Sequence, residues 1–256
     1  GPRPPHKFRS GSVYKGQWRG CARHGFGWQT WKDLSCYEGQ WAEGAADGQG
    51  QFTFPDVGWY IGQWRRNKPH GLGTYYDVVR KSIYRGDWDD GRQQGLGVEE
   101  RGCSHSHFRD AQENGCSSGS QPSVTYSGSF GLGVKDGPGV CTWSSDGGEY
   151  CGQWREDHIM GQGVHTSLSK SGGPLRYSGQ WFHSKKHGIG FYEWPDGRHY
   201  KGHYQKDAAS GFGFFYFSDG KRYAGYWENA KQHGPGRMTY VDGQEEVVMW
   251  FQGGRA

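Results

Sequence analysis

The chain is poor in the residues that fill most protein cores. Among 256 residues there are 6 Leu, 4 Ile, 12 Val and 13 Phe, well under the ~20% share below which disorder becomes the ordinary expectation. A doubly wound α/β enzyme needs long Val/Ile/Leu strands and Ala/Leu-rich helices, so this scarcity argues against such an enzyme and against a helical bundle. Net charge is also scarce. A formal +4 is too little for a self-repelling coil. Basic and acidic side chains are evenly spread, 14 and 11 in residues 1–100 against 16 and 15 in residues 101–256. No basic stripe marks a nucleic-acid surface, and no nucleic-acid partner is expected. Long hydrophobic runs are missing too. The longest, Val247–Phe251, cannot span a bilayer, and no signal-peptide pattern opens the chain. None of Asn67, Asn114 and Asn229 lies in a glycosylation sequon, and the six Cys (21, 36, 103, 116, 141, 151) show no recurring paired spacing. A reducing, cytoplasmic setting is the simpler expectation. Gly1-Pro2 reads as a cleavage scar.

What the chain has instead is Gly, 47 of them, and large aromatics: 13 Trp, 16 Tyr and 13 Phe. They are periodic. A Tyr-x-Gly-x-aromatic unit starts at Tyr14, Tyr37, Tyr60, Tyr84, Tyr126, Tyr150, Tyr177, Tyr200 and Tyr223, at intervals of 23, 23, 24, 42, 24, 27, 23 and 23. Counted from each Tyr, offset +2 is always Gly and offset +4 is Trp18, Trp41, Trp64, Trp88, Phe130, Trp154, Trp181, Tyr204 and Trp227. Offsets +11 and +13 are Gly in all nine units, and +17 is aromatic in six. The even offsets place Tyr, Gly and Trp on one face of a strand. A second segment, +11 to +17, alternates in the same way, so each unit is predicted to be two antiparallel strands joined by a polar turn such as Arg65–Pro69. The glycines are expected to leave space for an indole lying on a neighbouring strand.

Tyr14-Lys-Gly-Gln-Trp-Arg-Gly20 with His24-Gly-Phe-Gly27, and Tyr177-Ser-Gly-Gln-Trp181 with Lys185-Lys-His-Gly-Ile-Gly190, resemble MORN repeats, named for membrane occupation and recognition. The resemblance runs from about Phe8 to the C-terminus. It implies an all-β fold, an elongated single-layer antiparallel β-sheet of tandem β-hairpin repeats. It also implies a non-enzymatic scaffold at a membrane–cytoskeleton boundary, although some family members join the repeats to a kinase or methyltransferase domain. The organisation expected is residues 1–13 as scar and partial repeat, 14–101 as repeats 1–4, 102–125 as an inserted loop, 126–245 as repeats 5–9 and 246–256 as a C-terminal half repeat. A shorter insertion, Leu168–Pro174, falls on the same turn edge, and the two are expected to project together.

Candidate chemistry is limited. Cys103, His105, His107 and Cys116 could complete a tetrahedral zinc site, but their spacing matches no standard module and a polar loop that happens to contain them is the simpler reading; otherwise no cofactor is implied. Gly115–Gly119 fits G-x-S-x-G only formally. Histidines at +10 (His24, His70, His187, His233) are read as packing on a neighbouring Trp. The surplus aromatics at +15 and +17, Phe52, Phe54, Tyr75, Trp143, Tyr192, Trp194, Phe215 and Phe217, are expected to form a groove that receives a protein segment. The alternative is an anionic membrane surface met by Arg65, Arg66, Lys68, Lys185 and Lys186. An open edge strand carrying Val248, Trp250 and Phe251 is expected to make a homodimer.

Overall fold

The computed structural model describes residues 3–102, 123–170 and 172–255. Among them there is no helix, and the chain falls into two compact units, Gly1–Val134 and Lys135–Ala256. In the first, β1 (His6–Lys7), β2 (Val13–Arg19), β3 (Ala22–Thr30), β4 (Cys36–Ala42), β5 (Ala45–Phe54), β6 (Gly58–Arg65), β7 (Lys68–Asp77), β8 (Ser82–Asp89), β9 (Arg92–Arg101) and β10 (Val124–Gly131) pair antiparallel in chain order. The second repeats the scheme with β11 (Val134–Trp143), β12 (Gly148–Arg155), β13 (His158–Leu168), β14 (Pro174–Phe182), β15 (Lys185–Glu193), β16 (His199–Gln205), β17 (Ala208–Tyr216), β18 (Arg222–Glu228), β19 (Lys231–Thr239), β20 (Glu245–Phe251) and β21 (Gly254–Arg255). Each unit is an open antiparallel sheet of consecutive hairpins.

The core of each sheet is its row of tyrosines. All nine repeat-initiating Tyr are almost wholly buried, at 0–2% exposure. In eight of the nine repeats the phenol folds back over its own +2 Gly and over the +13 Gly on the next strand, so a Cβ built on Gly16 or Gly27 would collide with the Tyr14 side chain. The space that glycine provides is therefore filled by the repeat's own tyrosine, not by an indole from the neighbour. The folded-back hydroxyl donates to the carbonyl of residue +3 in every repeat, from Tyr14 to Gln17 (2.9 Å) through Tyr223 to Tyr226 (3.2 Å). Burial raises the hydroxyl pKa of Tyr37, Tyr60, Tyr84, Tyr150, Tyr177 and Tyr200 above the ordinary tyrosine value, which keeps these donors protonated.

The +11 glycine has a different task. Its φ is positive in all nine repeats, between 63° at Gly71 and 103° at Gly137. In the first repeat Gly25 sits where Gly16 pairs with Gly27 but Trp18 pairs with Arg23, so three residues of β3 oppose one of β2. This bulge needs a left-handed residue. The Gln17 side chain closes it, accepting the Phe26 N–H at 2.9 Å. Gln40, Gln63 and Gln180 repeat the contact, and Asp87 substitutes in the fourth repeat.

Edge-to-face rings join repeat to repeat. Tyr14 meets Trp18 of its own repeat at 5.1 Å and Trp41 of the next at 5.5 Å; Tyr37 meets Trp41 and Trp64 at 5.0 and 5.2 Å. In the second unit Tyr150 meets Trp154 and Trp181, and Tyr200 meets Tyr204 and Trp227. Each such pair contributes about 0.5–1.5 kcal/mol beyond its buried area. The indole N–H adds a second link, as Trp41 donates to Gly27 O and Trp64 to Gly50 O, both at 3.0 Å.

The turns within repeats are two-residue hairpins, and from the second repeat onward both central residues are left-handed, for example Arg66 (φ 48°) and Asn67 (φ 67°). The second turn residue docks on the previous repeat: Asn67 N–H donates to Ala46 O, and its Oδ1 accepts from Ala46 N–H. Asp157 on Lys135 and Asp207 on Lys186 do the same. Turns between repeats close as in Trp194–Arg198, where Trp194 N–H donates to Arg198 O and Gly197 N–H to Trp194 O. The shorter insertion does not project as a separate loop. It lengthens the β13–β14 hairpin through the pairs Ser167↔Leu175 and Leu168↔Pro174, ending in a turn of the same form.

Candidate functional site

The Tyr face carries an open aromatic trough in each unit. In the first unit a trough of about 490 Å³ is lined by Phe8, Arg23, Gln29, Trp31, Tyr37, Trp41, Phe52, Trp64 and neighbours. Phe52 bridges Trp31 (5.4 Å), Phe54 (4.2 Å) and Trp64 (6.2 Å), so the +15 residue packs on the +4 Trp of the following repeat and the +17 residues pack on the +15 residue. Tyr75 makes the same contact with Trp88 at 6.2 Å. Arg23 stacks over Trp41, 4.2 Å from the ring centroid, and donates to Gln29 Oε1 and to Gly44 O. Burial lowers its pKa, and the nearby Tyr14 hydroxyl opposes that shift.

In the second unit two adjoining troughs run along the same face. One, of about 480 Å³, is lined by Trp143, Trp154, Ile159, His165, Leu175, Tyr177, Trp181, Lys186, Tyr192 and Asp207 among others. The other, of about 240 Å³, takes in Lys186, Tyr192, Trp194, Tyr204, Asp207, Phe215 and Trp227. Trp194 lies 4.5 Å from Tyr192 and 5.7 Å from Phe215, which in turn meets Phe217 at 4.7 Å and Trp227 at 5.9 Å. Of the eight expected groove aromatics, Phe52 lines the first unit's trough and Trp143, Tyr192, Trp194 and Phe215 line those of the second; Phe54 and Phe217 pack on Phe52 and Phe215, and Tyr75 packs on Trp88 without lining the described trough.

A family model for the MORN repeat matches residues 14–36, 37–56, 60–78, 84–102, 126–147, 150–167, 177–197, 200–222 and 223–245. Every match begins on one of the nine buried tyrosines, and together they cover well over half of the chain. This chain belongs to the MORN repeat family. Its MORN repeats are the hairpins described above, and they suit a repeat scaffold or binding protein.

The basic turns of the MORN array divide into two kinds. Arg65 lies 3.4 Å from Asp89 and Lys68 2.7 Å from Asp90, both acids being on the next hairpin turn, and the Arg66 N–H donates to Asp47. The exposed Arg65 and Lys68 are therefore matched by acids, whereas Arg66 meets Asp47 through its backbone alone. Lys185 is exposed, but Lys186 turns onto the Tyr face and into both troughs of the second unit. The +10 histidines do not pack on tryptophan as expected. His70 sits 3.1 Å from Asp89, His187 contacts Phe182 and His233 contacts Phe251. They fall one residue out of phase with the Trp and so face the opposite side.

Val248 is buried, Trp250 continues the ring ladder 6.0 Å from Tyr223, and Phe251 is exposed. The end of β20 is not an open edge, because β21 pairs Arg255 with Trp250 and Gly254 with Phe251. Val248 is tolerated at a glycine phase because Glu246, not Tyr, starts this half repeat and no phenol folds over it. Cys103, His105, His107 and Cys116 lie outside the described residues. Among the described residues no group of three or more His, Cys, Asp or Glu is placed to hold a metal. No helix among them is long and apolar enough to cross a membrane.

Two features escape the sequence reading. Trp59, Tyr76 and Ile83 form a small buried core on the face opposite the tyrosines in the first unit. Their signal was available, as apolar residues at −1 and +16 in adjoining repeats. The second is the +9 position, where Arg23, Lys135 and Lys186 each lie over an aromatic ring. Nothing in their spacing separates them from ordinary turn cations.

Proposed function

We propose that this MORN protein is a non-enzymatic scaffold that holds an extended protein segment against the aromatic Tyr face, at a membrane–cytoskeleton boundary. The observation that supports this most is the open, half-exposed aromatic trough in each unit. Such walls bury apolar side chains of a partner while leaving its backbone accessible to solvent, as extended segments require. Peripheral binding to anionic lipid is the weaker reading, since Arg65 and Lys68 already face Asp89 and Asp90.

The test is a pull-down from the native cell with the parent and with Trp194→Ala/Phe217→Ala, beside co-sedimentation with phosphatidylserine vesicles at low and physiological salt. Loss of a captured protein in the double variant, with capture by the parent persisting in salt, supports the trough. Vesicle binding that collapses with salt and is indifferent to the double variant replaces it with the lipid reading.

A further inference from the structure

The cation in the second unit's trough is poorly provided for. Lys186, on β15, places its ammonium 4.6 Å from the Tyr192 ring centroid and 5.5 Å from that of Tyr177. Among the described residues Asp207 is the charged neighbour that acts on it, and that carboxylate is committed to the backbone, its Oδ1 accepting the Lys186 N–H at 2.9 Å. No ion pair within 4.0 Å is found for the amine among the described residues, whereas the exposed turn cations Arg65 and Lys68 each have one. A charged amine half-withdrawn from water among aromatic rings is costly unless a counter-charge meets it.

Position makes the amine a divider. Lys186, Tyr192 and Asp207 line both adjoining troughs. To one side lie Trp143 and Trp181, to the other Phe215 and Trp227. A segment filling both must therefore cross the amine. From β14, which carries Trp181, to β17 and β18, which carry Phe215 and Trp227, is three to four strand spacings, about 14–19 Å. An extended chain covers that in about four to six residues.

We infer that the second unit recognises an extended peptide in which one Asp or Glu, placed between two apolar or aromatic anchors about four to six residues apart, seats its carboxylate on Lys186. This rests on the protein-segment reading above and specifies the partner. A single carboxylate fits better than a phosphate group. There is one amine, and Asp207 beside it would repel a second negative charge. The aromatic walls also take side chains rather than a headgroup.

The experiment pans a random 12-residue phage-displayed peptide library on the full chain, then measures fluorescein-labelled winners by anisotropy. Expected winners carry one acidic residue between apolar anchors. Changing that acid to its amide weakens binding at least about tenfold, Lys186→Met produces the same loss without a further loss when the two are combined, and Lys186→Arg restores most of it. Panning on Lys186→Glu selects Lys or Arg at that place. Winners that depend on Trp194 and Phe215, tested as alanine variants, yet show no acidic preference overturn the carboxylate inference and leave the trough reading standing. Absence of any peptide sensitive to those two aromatics overturns both. Displacement of winners by phosphatidylserine vesicles whose own binding requires Lys186 assigns the amine to lipid instead, and also overturns the inference.

Discussion

Arg23 and Lys186 occupy the same phase of the repeat, nine residues after the tyrosine, in two different units. Both sit over aromatic rings on the Tyr face, at 4.2 Å from Trp41 and 4.6 Å from Tyr192. Arg23 is satisfied internally, since its planar fork reaches Gln29 Oε1 and Gly44 O together. Among the described residues Lys186 has no such acceptor, because the +15 residue that supplies Gln29 in the first repeat is Tyr192 in the seventh. The same backbone thus presents a closed cation in one unit and a receptive one in the other. One side chain six residues further along the same strand decides which. Fold and binding chemistry are separable here: glycine and tyrosine set the sheet, and the +9 and +15 residues tune each trough.

The largest effect that can break the comparison comes from filling a glycine. Gly27→Val in the first unit and Gly190→Val in the second each put a side chain into the ring of Tyr14 or Tyr177. Each is expected to cost about 3 kcal/mol or more, through overpacking and loss of the buried hydroxyl bond. Urea unfolding followed by tryptophan fluorescence measures it, and Gly190→Val should abolish peptide binding in the second unit's trough. A Val variant as stable as the parent would show that the phenol is not held over these glycines.

Acid should separate the units next. Burial first, and then the charge of Lys186, hold His165 below the ordinary histidine pKa of 6.5, with Asp146 opposing. The unfolded chain consequently takes up a proton at higher pH than the folded one. Stability rises with pH through the window from the lowered folded pKa up to 6.5 and is lost as pH falls through it. Among the described residues no histidine lines the first unit's trough. His165→Gln should flatten this part of the pH–stability profile measured by chemical denaturation, and an unchanged slope would remove His165 from it.

The smallest effect concerns the exposed turns. Asp89→Asn with Asp90→Asn removes the partners of Arg65 and Lys68 and should alter stability by no more than about 0.5 kcal/mol. Co-sedimentation with phosphatidylserine vesicles at low salt should nevertheless increase, since the turn cations Arg65 and Lys68 lose their screen at once. Equal vesicle binding by parent and variant would show that these acids do not mask the turn.

The sequence by itself determined the repeat, its phase and its strand pairs, because side-chain alternation of period two and a glycine at every +2, +11 and +13 leave one arrangement that buries so many rings without Leu or Ile. It also placed the groove aromatics on the tyrosine face. Only the tertiary structure decided what covers the glycines, since Gly16 and Gly27 look equally ready for an indole or a phenol until Tyr14 is seen donating to Gln17 O. It alone separated the left-handed bulge role of Gly25 from the close-approach role of Gly27, two residues away with the same letter. And it alone distinguished Lys186 from Lys185. Adjacent residues of a strand point to opposite faces, and whether the inward cation finds acceptors depends also on groups that folding brings alongside, as the Gly44 carbonyl comes to Arg23 from the next hairpin turn.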